Sequence, residues 1–228
     1  MKIGLLGLHL FGCPRPGFQP LADALAPYPV SNWRNGDARS HDFVTNLPFN
    51  LPGLPYVEPR DFRLVTAPPP VGDDWGMFAW HHMALYRQGL EGTDAAPEDK
   101  AIADLLLQLY AGGQGEAFGS PGDATHWDAI GQPQQSHGIC WALRHMDGWD
   151  ALLFRGSATA QDWARDFMAG SHATSAHPKL GPCHEGFLLG MDETMAVAMP
   201  LLTQPLRIGG HSLGAGRGSI AAGVVATA

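Results

Sequence analysis

Leu206-Arg207-Ile208-Gly209-Gly210-His211-Ser212-Leu213-Gly214-Ala215-Gly216-Arg217-Gly218-Ser219-Ile220-Ala221-Ala222-Gly223 begins as a short apolar run, passes through Gly-x-Ser-x-Gly and continues in small residues. This order predicts a strand that turns sharply into a helix at Ser212. Glycines on either side of the serine remove the Cβ atoms that would hold strand and helix apart. A serine in such a turn takes a strained backbone and projects from the sheet, above the positive end of the following helix. Ser212 is therefore the candidate nucleophile, and the rest of the chain is expected to support it.

The chain has 228 residues, enough to bury a substantial core in one domain or at most two. Hydrophobic residues make up 45% and charged residues 16%, which excludes a disordered chain, and no apolar run reaches the length of a membrane span. A net charge of -8 without any Lys/Arg cluster argues against a nucleic-acid partner. Cys13, Cys140 and Cys183 are odd in number and lack CxxC spacing, so free buried thiols are expected. The opening run from Met1 to Leu8 has no signal-peptide cleavage site and is read as a strand, which favours a cytoplasmic protein.

Apolar patterning predicts strands over residues 2–10, 30–33, 62–65, 137–144 and 150–154, besides the strand entering Ser212. Helices are expected over 19–26, 76–90, 101–110, 158–168 and 193–202, with His81 and His82 on the second and Met191, Met195 and Met199 forming a buried stripe. Residues 87–100 are charged and poor in large apolar side chains, and read as a linker. Residues 169–182 are small and polar and read as a mobile segment. Strands alternating with helices make the fold class α/β with a mostly parallel sheet.

A serine nucleophile needs a base within hydrogen-bond reach and a carboxylate to orient that base. After Gly214 the chain contains neither histidine nor acid, so both partners must lie upstream. His172, His177, Cys183 and His184 are suggestively spaced, but without HExxH or paired cysteines they are read as satisfied polar residues, and no metal or cofactor is expected.

The sequence resembles the class 3 lipase family, the fungal-type lipases, in two pieces whose order is exchanged. Leu152-Leu153-Phe154-Arg155-Gly156-Ser157, Asp162-Trp163 with Asp166, His184-Glu185-Gly186-Phe187 and Gly210-His211-Ser212-Leu213-Gly214 are similar to that family's N-terminal half. Phe11-Gly12-Cys13-Pro14-Arg15-Pro16-Gly17, Asp42-Phe43-Val44-Thr45-Asn46-Leu47-Pro48 and His81-His82-Met83-Ala84-Leu85-Tyr86 resemble its C-terminal half. The resemblance implies an α/β-hydrolase-type, mostly parallel sheet flanked by helices, in circularly permuted order. Residues 1–86 would then be the family's second half, 87–100 a linker and 101–228 its first half, within one domain.

The resemblance also implies roles. Ser212 would attack an ester carbonyl, His81 would be the base and Asp42 its orienter, with Leu213 and Ser157 donating the oxyanion-hole N–H groups. Two alternatives stay open: Asp37, at the turn after Arg34-Asn35-Gly36, for Asp42, and His82 for His81. Glu58 stands where many relatives have histidine, and Trp163 opens the family's lid region. The implied function is a serine carboxylic-ester hydrolase acting on acylglycerols or short to medium-chain esters, with contact to a lipid interface allowed. Acyl transfer or thioester hydrolysis by the same triad, or a catalytically silent binding module, are the alternatives. Residues 169–182 offer little apolar surface, which predicts weak interfacial activation.

Overall fold

The computed structural model describes residues 3–37, 41–48, 55–69, 80–110, 127, 129–131, 139–156, 172–174 and 177–228. Its centre is strand β9 (Leu206–His211). β9 is flanked by β1 (Leu5–Phe11) and β6 (Asp150–Phe154), both parallel to it, with Leu8 opposite Ile208 on one side and Leu152 opposite Ile208 on the other. Beyond β1 lie β2 (Val30–Asn35) and β3 (Arg63–Val65), also parallel. Beyond β6 the sheet turns antiparallel through β5 (Trp141–His145) and β4 (Ala129–Gly131). The order is β3-β2-β1-β9-β6-β5-β4, so strands from the front and the back of the chain share one sheet.

Both faces of this sheet are covered, as parallel pairing requires. Successive residues of a strand point to opposite faces, and β6 divides accordingly. Leu152 and Phe154 pack with Leu21, Leu25, Ile208 and Ile220, whereas Ala151 and Leu153 pack with Leu90, Ile102, Leu106 and Leu109. The first face carries helix α1 (Gln19–Leu25) and the helix that follows Ser212, here the last in chain order. The second carries α2 (Met83–Leu90) and α3 (Pro97–Tyr110). Each fully buried leucine or phenylalanine contributes roughly 1.5–3 kcal/mol. Two short helices, α4 (Glu185–Leu188) and α5 (Met191–Ala198), follow a small antiparallel pair, β7 (His172–Thr174) with β8 (Pro182–His184). The final helix, α6 (Leu213–Thr227), is buried along most of its length. No helix among the described residues is long and apolar enough to cross a membrane.

Four expectations are corrected. The segment 87–100 is not a linker: α2 runs to Leu90 and α3 starts at Pro97, leaving only residues 91–96 between them. Its charges lie on helix surfaces, where Arg87 pairs with Glu91 and Asp104, and Lys100 reaches Glu91 at 3.6 Å. His81 and His82 are not on α2 but precede it: His81 lies in a 3-10 turn with Trp80, and His82 takes an extended ψ of 130°. Residues 172–174 and Pro182, expected within a mobile segment, belong to two strands that pair with each other, 172–174 and 182–184. Met191 and Met195 are buried on α5 as expected, while Met199 continues into a 3-10 turn and is only partly buried. Cys13, Cys140 and Cys183 are free and buried, and the helix expected over 158–168 lies outside the described residues.

Polar contacts fix where the helices stand on the sheet. Asp99 at the start of α3 accepts from His9 Nδ1 on β1 at 2.7 Å, and Arg207 on β9 donates to Glu98 at 3.0 Å. These two contacts anchor the beginning of α3 at one end of the strands. Tyr110, at its other end, reaches the carboxyl ends of β6 and β9. Buried Asp150 accepts from the Thr203 and Gln204 N–H groups at 2.7 and 3.0 Å, which sets the entry into β9.

Candidate active site

Ser212 follows the last residue of β9 and precedes the first residue of α6. Its φ of 60° and ψ of -133° make it the one non-glycine with positive φ among the described residues. Such a conformation costs on the order of 1–3 kcal/mol and persists only where the surroundings dictate it. Here they do: the Ser212 N–H donates to the Phe11 carbonyl at the end of β1 at 3.0 Å, and α6 lies directly against the strands. A Cβ at Gly210 would overlap the Gly214 carbonyl oxygen, and one at Gly214 would overlap the Phe154 carbonyl oxygen. The two glycines thus allow the turn to exist.

Asp42 and His81 meet beside this turn. His81 Nδ1 lies 2.6 Å from Asp42 Oδ2, and the Tyr86 hydroxyl donates to the same oxygen. Asp42 Oδ1 accepts from the Val44 N–H at 2.9 Å, capping the 3-10 turn Phe43–Asn46. Burial works against ionisation of Asp42. The His81 charge and the bonds from His81, Tyr86 and Val44 outweigh it and hold the carboxyl below its ordinary value. Burial and the neighbouring carboxylate push the Tyr86 phenol well up, so it remains a donor. Asp37, by contrast, is exposed, and Asp42 is the carboxylate that contacts His81.

Asn35, at the end of β2, holds both members of the pair. Its carbonyl accepts from the Asp42 N–H at 2.8 Å, and its side-chain amide donates to the carbonyls of Ala67 and of Trp80, the residue before His81, at 3.0 Å each. Gly12, at φ 59°, fits against the pair: a Cβ there would stand 2.7 Å from Asp42 Oδ2 and 2.8 Å from His81 Cε1. Gly12 directly follows Phe11, whose carbonyl holds Ser212, so the Phe11-Gly12 corner lies between the serine turn and the Asp-His pair. The His211 ring, one residue before Ser212, stacks on His81 at a centroid distance of 4.7 Å.

Leu213 is the first residue of α6, where the opening N–H groups of a helix have no intrahelical acceptor. Ser157 lies outside the described residues. Its predecessor Gly156 is so close to the turn that a Cβ on it would stand 2.6 Å from Ser212 Cβ. His184 Nδ1 accepts from the Gly186 N–H at 3.1 Å as the cap of α4, and among the described residues no group of three or more His, Cys, Asp or Glu could hold a metal. Cys13 and Cys183 thiols are pushed up by burial, Cys183 to about 12, which removes them as nucleophiles.

The contributions of Asn35, Tyr110 and His211 were not visible in the sequence. The only signals were that Asn35 ends a strand and that His211 lies inside the glycine pattern. Chemically, the arrangement provides a strained serine, an oriented imidazole with its carboxylate, and a helix N-terminus. Comparison of the chain with protein-family models, curated proteins and solved structures returns no match in any of the three.

Proposed function

We propose that the protein is a serine carboxylic-ester hydrolase that works through an acyl-enzyme, with Ser212 as nucleophile, His81 as base and Asp42 as orienter. One observation carries this reading: a serine at positive φ between a parallel strand and a helix, with a buried Asp42 bonded to a partly buried His81 beside the same strand ends. Ser212 Oγ attacks the ester carbonyl while His81 Nε2 takes its proton, and Asp42 keeps the other ring nitrogen protonated and steadies the imidazolium. The tetrahedral oxyanion is held by the Leu213 N–H at the α6 terminus and by a second N–H from Ser157. Collapse passes the proton from His81 to the leaving alcohol, and water then repeats the sequence on the acyl-enzyme. In the same reading the chain is a single α/β-hydrolase domain in circularly permuted order. Support comes from the strands of residues 1–86, which join the same sheet through β1, paired directly with β9. Short to medium acyl chains are the preferred substrates.

The test is covalent labelling by an organophosphonate, read by peptide mass spectrometry, with p-nitrophenyl butyrate hydrolysis measured alongside. Label confined to Ser212, with loss of roughly a thousandfold or more in rate for Ser212→Ala, is expected. An unlabelled wild-type protein, or a Ser212→Ala variant that keeps more than a few per cent of the rate, would falsify it.

A further inference from the structure

His211 lies within the Gly-x-Ser-x-Gly turn, yet the triad does not use it. Its Nε2 is 2.7 Å from the His81 carbonyl oxygen and its Nδ1 is 2.8 Å from the Tyr110 hydroxyl. A carbonyl only accepts, so Nε2 carries the hydrogen. Burial pushes the His211 pKa down to about 3, so the ring is neutral and Nδ1 has a lone pair. Tyr110 must then donate to Nδ1. The Tyr110 oxygen in turn accepts from the Gly156 N–H at 2.8 Å. Every hydrogen in this chain has one direction: Gly156 N–H to Tyr110, Tyr110 O–H to His211, His211 Nε2–H to the backbone of His81.

The chain connects three segments far apart in sequence. Gly156 ends the segment after β6 and abuts Ser212 Cβ, His211 immediately precedes Ser212, and the His81 carbonyl belongs to the residue that bears the base. The β6–β9 ladder, which ends at Phe154 and Gly210, ties the first two segments together, whereas the His81 backbone is tied to them through the His211 side chain, with Asn35 holding the neighbouring Trp80 carbonyl. We infer that Tyr110 and His211 are positioning residues that set the His81 backbone and the Gly156 backbone relative to Ser212 for the ester chemistry. This rests on the hydrolase reading. They act through the Gly156 and His81 backbones and through the stacking of the His211 ring on His81. Their effect belongs to the alignment of a charge-developing transition state, where misplacement of about 1 Å costs on the order of a hundredfold.

The experiment compares Tyr110→Phe, His211→Gln and the double variant with the wild-type protein. It measures kcat and KM on p-nitrophenyl butyrate, the organophosphonate labelling rate at Ser212, thermal midpoint, and nitrogen-15 NMR of the histidines. Tyr110→Phe should lower kcat and labelling rate roughly 10- to 100-fold with KM within about twofold. The double variant should lose no more than about threefold beyond the worse single variant, because the two residues act as one chain. The wild-type spectrum should show His211 protonated at Nε2 and bare at Nδ1. The inference is overturned if kcat stays within about threefold, if only KM changes, or if the losses of the single variants multiply in the double. Should Tyr110→Phe not fold, the wild-type spectrum still decides, since a His211 protonated at Nδ1 reverses the chain and sinks the idea. A wild-type protein that neither hydrolyses ester nor takes label overturns the hydrolase reading, and the positioning role with it. An active wild type with an indifferent Tyr110→Phe overturns the positioning role alone.

Discussion

Asp42 and Asp37 differ in one respect that decides their fates: Asp42 is fully buried and bonded by three donors, whereas Asp37 is exposed. Asp42→Asn should therefore reduce ester hydrolysis by roughly 10³- to 10⁴-fold, because an amide in that place favours the wrong imidazole tautomer. Asp37→Asn should stay within about twofold. Steady-state rates on p-nitrophenyl butyrate distinguish the two. His81→Ala should be about as damaging as Ser212→Ala, since members of a catalytic unit are not additive, and His82→Ala should be mild. The reverse order would reassign the base. Ser212 was legible because its backbone demand is written locally in the glycines around it. His81 and Asp42 were legible only through motifs. Tyr110 was not legible at all, because its partner His211 lies 101 positions away and a tyrosine at a helix end carries no sign of it.

Among the elements, the turn from β9 into α6 permits the least change. Gly214→Ala would force its Cβ against the Phe154 carbonyl, a backbone atom that cannot swing aside. The protein should lose at least about 2 kcal/mol in urea unfolding, and a loss below about 0.5 kcal/mol would show that β6 and α6 are not in that contact. Asn35→Leu should remove the bonds to Ala67 and Trp80 together and lower kcat more than it raises KM, because it loosens the placement of His81 and not the substrate site. The boundary of α2 shows where periodicity misleads. Apolar spacing from Met77 onward suits a helix, but His82 takes an extended ψ that separates the 3-10 turn at Trp80 and His81 from α2. The charged stretch after Arg87 misleads in the other direction, since paired charges on the surfaces of α2 and α3 look like a linker when the pairing is unseen.

For the whole molecule, acid sensitivity comes from Asp42, Asp99 and Asp150, whose bonded carboxyls are held below their ordinary values, and from buried neutral His211. The folded His211 pKa of about 3 lies below the ordinary 6.5, so the unfolded chain binds the extra proton first. The contribution is complete above about pH 6.5 and falls by about 1.4 kcal/mol per pH unit as pH drops toward 3. Urea unfolding at pH 7 and pH 5 should show this slope, and His211→Gln should reduce it. An unchanged slope would place the group that titrates in that interval elsewhere. The shared sheet makes a second prediction. Residues 95–228 produced alone would leave β9 without β1 and α6 without α1, so circular dichroism should show no cooperative melt. The layered α/β architecture was legible because buried parallel strands are short apolar runs between helices. The adjacency of β1 and β9 was legible only through the exchanged order of the two matched pieces, because nothing local in either strand names the other.

That pairing also sets a timetable. His9 and Arg207 touch across 198 positions, so β1 leaves the ribosome long before the strand that it must lie against. At about 5–20 residues per second the wait is roughly 10–40 s. Through that interval β1 and β2 have an unfilled edge and an uncovered apolar face. Non-local parallel pairing is slow even once the chain is complete. Yield in a cell should therefore depend on chaperone capacity and growth temperature more than on equilibrium stability.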